Sequence, residues 1–108
     1  MVSLEPVEGH EIGKTRPAVI ISNNRNNEYS STVTLIPITS STKKVYPFEV
    51  FIPKIETGLP KDSKIKCNQI RTVDIMRLLK CAGQITEEML KKVEEALLIH
   101  IGISLPVF

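Results

Sequence analysis

Two continuous apolar runs rich in β-branched residues stand out in the first half of the chain. They occupy residues 17–22 (PAVIIS) and 32–38 (TVTLIPI), and runs of this length predict buried strands. Residues 48–52 and 63–70 instead alternate apolar and polar side chains, which predicts strands with one buried face. In residues 63–70 the lysines and Asn68 share the polar face.

Polar, turn-rich segments separate these runs, and residues 23–30, 40–46 and 58–61 are interpreted as loops. Residues 72–78 are interpreted as a short helical turn, and residues 79–85 as a last strand. Most connections are shorter than the dozen or more residues that a parallel crossover needs, so the sheet is predicted to be mainly antiparallel.

The C-terminal segment follows a different periodicity. Thr86 is placed to cap a helix whose first turn carries Glu87 and Glu88, where the helix dipole favours acidic residues. Gly102 and Pro106 are stop signals. Apolar residues recur between them at helical spacing, namely Met89, Leu90, Val93, Ala96, Leu97 and Ile101. The pattern predicts a mainly β fold with a C-terminal α-helix, its small antiparallel sheet curved into an SH3-like barrel.

Composition is consistent with a single domain over residues 1–108. Hydrophobic residues make up 42% of the chain, and the net charge of +2 permits a nucleic-acid partner without requiring one. No stretch approaches the roughly 18 apolar residues of a membrane span, and the acidic N-terminus does not resemble a signal peptide. We therefore expect a cytoplasmic protein with no membrane contact. Cys67 and Cys81 are expected to be buried, reduced thiols.

Familiar catalytic motifs are missing from the sequence. His10 and Glu11 begin like the zinc motif H-E-x-x-H, but Lys14 occupies the position of its second histidine. The other histidine, His100, falls on the predicted helix, and there is neither a G-x-S-x-G motif nor a glycine-rich phosphate loop. The sequence therefore predicts no metal and no cofactor.

Polar residues instead flank the apolar runs, where strand ends hold side chains rigidly at a rim. Arg16 precedes one run, Thr39 and Ser40 follow another, and Gln69 and Arg71 end the lysine-rich segment. Each also has an ordinary interpretation as a surface charge, turn chemistry or part of a solvated face. The same holds for the remaining candidates, which are His10, Lys43, Lys44, Lys64 and Lys66.

Four segments, taken in order, resemble the MazF/PemK toxin family. They contain G-H-E and R-P-A-V in residues 4–22, P-I-T-S and Y-P-F-E-V in residues 36–50, Q-I-R-T-V-D in residues 66–78, and the predicted helix. Together they cover nearly the whole chain, and their combination is far more specific than any single motif. The resemblance implies the CcdB/PemK-like fold and a homodimer.

The resemblance also implies an endoribonuclease, or mRNA interferase, that cuts single-stranded RNA at short specific sequences. In the family's mechanism the ribose 2′-hydroxyl attacks the neighbouring phosphate without a metal ion, leaving a 2′,3′-cyclic phosphate and a 5′-hydroxyl end. The nucleophile then belongs to the substrate, and DNA is expected to survive because it lacks the 2′-hydroxyl. A cognate antitoxin is expected to bind as an acidic, partly disordered segment along the groove.

By position, Arg16 matches the family's catalytic arginine, whose guanidinium would stabilise charge on the phosphoryl oxygens. Thr39 matches the threonine that hydrogen-bonds the scissile phosphate, and His10 occupies the G-[HS]-E position near it. Gln69 is expected to contact bases, and the lysines to hold the RNA backbone. The full set of expected RNA-binding residues is Ser40, Lys43, Lys44, Lys66, Asn68, Gln69 and Arg71.

The chain departs from the family pattern in two ways. It begins at what resembles the end of the family's first strand, so either the true start lies upstream or the protein is shortened. Asn68 stands where many members carry Asp or Glu, and an amide cannot act as a general base. His10 is therefore the better candidate base, since an unperturbed histidine titrates at about pH 6.5.

Two alternatives remain open at this point. A CcdB-like toxin shares the architecture but binds DNA gyrase and performs no chemistry, and the fold alone does not separate the two. A shortened, inactive family member would bind only the antitoxin. Arg16, Thr39 and the G-H-E loop favour the nuclease.

Overall fold

The computed structural model describes residues 1–4, 15–81 and 83–104. The strands in these residues are β1 (Val2–Ser3), β2 (Thr15–Arg16), β3 (Ala18–Ile20), β4 (Thr32–Thr39), β5 (Glu49–Ile52), β6 (Ser63–Lys66) and β7 (Arg71–Asp74). The helices are α1 (Asn24–Tyr29), α2 (Lys54–Thr57) and α3 (Glu87–Ile101), with 3-10 turns at Cys67–Gln69 and Ile75–Arg77.

The longest described strand, β4, organises the sheet. It pairs with β3 around Ile36, with β7 through its first four residues, and with β6 at Ile38 and Thr39. The order β3-β4-β6-β5 completes the main path, while β1 and β2 form a separate pair. Every strand pair in the described residues is antiparallel. The predicted mainly β fold with an antiparallel sheet and a C-terminal helix is confirmed.

The two faces of β4 bury two different apolar clusters. Ile36 and Ile38 belong to a cluster that includes Val93 of α3. Val33 and Leu35 belong to the other cluster, which β1 and β7 complete. Alternate side chains of a strand point to opposite faces. Both faces are buried here, so the strand has the continuous apolar sequence that identified it.

Helix α3 has the predicted caps. The Thr86 hydroxyl accepts a hydrogen bond from the Met89 N–H at 3.1 Å, and Glu87 and Glu88 occupy the first turn. Gly102 ends the helix at a φ of 73°, which is the left-handed conformation that glycine adopts without a steric penalty. Across the described residues, no helix combines the length and apolar character of a membrane span.

The prediction of a loop at residues 23–30 is wrong, because α1 lies there. Asn23 caps this helix by accepting a hydrogen bond from the Asn26 N–H at 2.9 Å. The Asn26 and Asn27 side-chain amides donate to the carbonyls of Thr32 and Ser22. These contacts tie α1 to the neighbouring strand and overcome the weak helix propensity of asparagine.

Three other boundaries differ from the prediction. The strand expected over residues 63–70 ends at Lys66 and continues as a 3-10 turn, and residues 72–78 divide between β7 and a second 3-10 turn. The described residues of segment 79–85 form no strand. Its beginning meets the start of the chain, where the Leu79 N–H donates to the Met1 carbonyl at 2.9 Å, and Ile85 near its end packs against the core cluster that includes Val93.

The cap of α3 provides a test of local stability. We expect Thr86→Ala to lower the free energy of unfolding by about 1 kcal/mol, because the helix loses the acceptor for one end N–H group. Chemical denaturation would measure the difference. Ser104→Ala, at an exposed position beyond the helix, is the control. Equal stability of the two variants would contradict a capping role for Thr86.

Candidate functional site

Arg16, Thr39 and Ser40 line one open cleft of about 410 Å³. β2 carries Arg16, and β4 ends at Thr39. The two strands approach each other here because the Ile38 N–H donates to the Pro17 carbonyl at 2.9 Å. Three residues that the sequence placed at two separate strand ends therefore share one site.

The other walls of the cleft come from the start of the chain, from the residues beside Arg16 and Thr39, and from residues 59–63. Among them Lys61 is exposed and adds a cation that the sequence analysis did not select. Its position after a turn-forming Gly-Leu-Pro sequence was the only available signal. The remaining lining residues are Met1, Thr15, Pro17, Ile38, Leu59, Pro60 and Ser63.

The immediate surroundings of Arg16 and Thr39 are set by backbone pairing. Arg16 pairs with Val2 of β1 and is half-buried. The Thr39 Oγ1 atom accepts a hydrogen bond from the Ser41 N–H at 3.3 Å, a local turn contact. A hydroxyl that accepts one hydrogen bond still has a proton to donate. The cleft is therefore lined by an arginine and by a threonine whose hydroxyl can donate, and side chains of these types bind phosphate oxygens.

The lysines expected to bind RNA do not line this cleft. Lys43 and Lys44 are exposed on the loop that follows it, and Lys44 Nζ lies 4.8 Å from the centre of the Tyr46 ring. Lys66 pairs with Glu49 at 3.2 Å, and 23% of its side chain is exposed. Lys64, interpreted as part of a solvated face, is instead buried. The RNA-binding roles of Lys43, Lys44 and Lys66 remain predictions.

Asn68, Gln69 and Arg71 lie outside the cleft as well. The first two occupy the 3-10 turn after β6, and Arg71 begins β7 opposite Leu35. All three side chains are half-buried, and the Asn68 Oδ1 atom is buried with no hydrogen-bond partner among the described residues. His10, the predicted base, lies outside the described residues.

Glu49 is a second charged residue that sequence reasoning did not select. Its Oε1 atom accepts hydrogen bonds from Lys64 Nζ at 3.0 Å and from the Tyr46 N–H at 2.9 Å, and Lys66 approaches Oε2. Burial acts to raise the pKa of this carboxyl, but the hydrogen bonds from Tyr46, Lys64 and Lys66 outweigh it and hold the pKa below its ordinary value. The sequence signal for this buried acid was a single glutamate between apolar residues of a predicted strand, with a second predicted strand that carries lysines.

The family profile described as PemK-like, MazF-like toxin of type II toxin-antitoxin system matches residues 1–101. The chain belongs to this family. It is 37% identical over 107 residues to Endoribonuclease MazF9 of Mycobacterium tuberculosis, a match that covers 94% of this chain and 91% of that protein. The MazF/PemK resemblance inferred from the sequence motifs is therefore confirmed.

Solved MazF structures share the fold of this family member. MazF (Form-I) from Deinococcus radiodurans matches with a TM-score of 0.81 and 27% identity, over 94% of this chain and 90% of that one. A mycobacterial endoribonuclease in complex with its cognate antitoxin matches with a TM-score of 0.72 and 24% identity, over 84% of each chain. The latter likeness supports the fold alone.

The two thiols of this MazF/PemK family member differ in their surroundings. Cys67 is fully buried beneath α3, and burial followed by the negative charge of Glu49 raises its pKa to about 11. Cys81 is exposed, so the prediction that both thiols are buried is wrong for Cys81. The described residues around Cys81 form no strand that would cover its side chain.

This difference predicts selective alkylation. At pH 8, iodoacetamide should modify one thiol of the native protein, because the thiolate is the reactive form and Cys67 stays protonated and shielded. Intact mass spectrometry would count the adducts. Cys81→Ser should remove the fast reaction and Cys67→Ser should leave it unchanged. Rapid modification of the Cys81→Ser variant would show that Cys67 is accessible.

Proposed function

We propose that this chain is a sequence-specific endoribonuclease toxin that cleaves single-stranded RNA. The observation that carries the proposal is the cleft in which Arg16, Thr39 and Ser40 meet. Membership of the MazF/PemK family and 37% identity to a protein named Endoribonuclease MazF9 support it. Fold likeness alone would leave the non-catalytic alternatives open.

The proposed reaction uses a nucleophile from the substrate. The ribose 2′-oxygen attacks phosphorus, its proton passes to a base for which His10 is the candidate, and the bond to the 5′-oxygen breaks. That oxygen takes up a proton from solvent or from a donor lining the cleft. The products are a 2′,3′-cyclic phosphate and a 5′-hydroxyl end. No metal ion or cofactor takes part in this scheme.

In this scheme the role of the cleft is electrostatic. The Arg16 guanidinium stabilises the charge that develops on the phosphoryl oxygens, and the Thr39 hydroxyl donates to one of them. Ser40 and Lys61 also line the cleft. They extend its polar rim, along which the RNA chain would continue. Lys43 and Lys44 lie on the loop that follows Ser40 and would bind phosphates farther along the RNA.

Incubation of the purified protein with a long RNA in EDTA tests the reaction. We expect discrete fragments with 5′-hydroxyl ends, and no cleavage of single-stranded DNA of the same sequence. Mapping those ends would also identify the cut sequence. Intact RNA combined with growth arrest on expression would favour a CcdB-like toxin that binds gyrase. Intact RNA without growth arrest would favour an inactive member that only binds antitoxin.

Arg16→Ala should lower the cleavage rate about 10²–10³-fold, the effect of losing one preorganised charge-stabilising donor. Single-turnover cleavage of the mapped RNA would measure it. Lys91→Ala, which removes a positive charge from an exposed position of α3, should cleave at the normal rate. Near-normal cleavage by the Arg16→Ala variant would exclude the role proposed for this arginine.

We also propose that the protein is a homodimer restrained by an acidic antitoxin segment that competes with RNA. The family description, which names a type II toxin-antitoxin system, supports the antitoxin. Exposed apolar residues such as Met76, Leu79 and Ile101 offer area for protein contacts. Sedimentation should give twice the chain mass, and an added acidic antitoxin peptide should shift the mass and release labelled RNA. Simultaneous binding of peptide and RNA would contradict the competition.

A further inference from the structure

Burying the Glu49 carboxylate is energetically unfavourable, because an ionised group loses its hydration. The Glu49 side chain is 0% exposed, and removing an ionised carboxylate from water is strongly unfavourable unless its partners compensate. Lys64 and Lys66 both pair with it, so this buried group carries a net positive charge of one. A strand of this length does not need such a group to form, and replacing a whole buried charged group by apolar residues is often neutral or stabilising.

Strand register places this charged group beside the cleft. Thr39 pairs with Lys64, and Lys64 pairs on its other side with Phe51, so these three side chains form a row on one face. Glu49 and Lys66 form the next row. The alternate residues of the same strands contact α3, so the charged group lies on the opposite face, the one that carries Thr39.

The same group holds the far end of the loop at residues 40–46. Lys64 Nζ donates to the Lys44 carbonyl at 2.6 Å. Glu49 engages both backbone groups of Tyr46: its carboxylate accepts from the Tyr46 N–H, and its own N–H donates to the Tyr46 carbonyl at 2.8 Å. The loop is therefore attached at Thr39 on one side and at Glu49 on the other.

We propose that Glu49 is a positioning residue for RNA: with Lys64 it holds residues 40–46 against the sheet, so that Lys43 and Lys44 meet the phosphate backbone beside the cleft. The inference rests on the proposed nuclease function and adds a residue that touches no substrate. Without the carboxylate, the Lys64 ammonium would turn toward water and release the Lys44 carbonyl. The lysines of the loop would then lose more conformational entropy on binding RNA, which would weaken binding.

Two variants and their combination test this role. Glu49→Gln keeps the size and an acceptor for the Tyr46 N–H but removes the charge, and Lys64→Met removes the link to the Lys44 carbonyl. Glu94→Gln, at an exposed position of α3, is the matched control. The measurements are kcat and KM for cleavage of an RNA that contains the mapped cut site. The salt dependence of binding is measured on the same RNA with 2′-deoxyribose at the cut site, which cannot be cleaved.

We expect KM to rise about tenfold in Glu49→Gln and Lys64→Met, with kcat within about twofold of normal, because Arg16 and Thr39 stay in place. The slope of log Kd against log salt should fall by about one, as one phosphate contact is lost. Amide hydrogen exchange over residues 41–46 should accelerate in the absence of RNA. The Glu94→Gln control should match the unaltered protein in all of these.

The double variant separates positioning from simple stability. Breaking one partner of a buried ion pair destabilises a fold, whereas neutralising both is often tolerated. Glu49→Gln with Lys64→Met leaves only the Lys66 ammonium of this group, and that side chain is 23% exposed and can reach water. The double variant should therefore recover much of the Tm lost in Glu49→Gln while KM stays raised, since the link to the Lys44 carbonyl is still missing. Folded variants with normal KM and salt slope, or a KM that recovers together with Tm, would overturn the proposal.

Failure of the nuclease assignment would look different. If the unaltered protein neither binds nor cleaves RNA, the proposed function fails, and the RNA role of Glu49 fails with it. The exchange measurement still reports on the loop attachment by itself. Unchanged exchange of residues 41–46 in Glu49→Gln would show that the carboxylate does not hold the loop, whatever the substrate.

Discussion

The pairing of β4 with three neighbouring strands is the constraint on which the rest of this structure depends. Its backbone N–H and C=O groups bond to β3 along one edge and to β7 and then β6 along the other. Because its two faces bury different apolar clusters, a shift of one residue would exchange both sets of side chains. The register is therefore strongly specified, and the position of Thr39 at the strand end follows from it.

That register also brings Arg16 and Thr39, which lie far apart in the sequence, to the same cleft. Within the described residues β2 consists of Thr15 and Arg16, and the backbone of Arg16 is held between the pairing to Val2 and the Pro17 contact with β4. Because both residues lie on hydrogen-bonded strands, their backbones would need no further ordering to meet a phosphate, and only side-chain rotamer entropy would be lost. A site of this kind can consist of few groups, provided that the substrate supplies the nucleophile.

The lysines near the cleft and its loop fall into two groups with different electrostatic surroundings. Lys64 and Lys66 are committed to Glu49 within the sheet, whereas Lys43, Lys44 and Lys61 remain exposed around the cleft and its loop. With a net charge of only +2 for the whole chain, local placement rather than overall charge must attract a polyanion. The buried acid thus accounts for why the lysines of β6 and those of the loop, similar in sequence, have different surroundings.

Much of the architecture could be predicted because its signals are local. The apolar runs of β3 and β4, the alternation in β5 and the caps of α3 depend on neighbouring residues, and each element was found where its pattern indicated. Helix α1 was missed because asparagine side chains stabilise it through contacts with Ser22 and Thr32. The end of β6 at Lys66 was missed because the alternating pattern continues past the point where pairing stops.

The sequence by itself determined the fold class, the family and the presence of Arg16, Thr39 and Ser40 at strand ends, since periodicity and motifs are properties of adjacent residues. Only the tertiary structure decided that these ends meet in one cleft, that Cys81 is exposed and that Lys64 is buried. Those outcomes depend on which strands pair and on what covers each face. A lysine in an alternating pattern has the same sequence signal whether water or a buried carboxylate faces it.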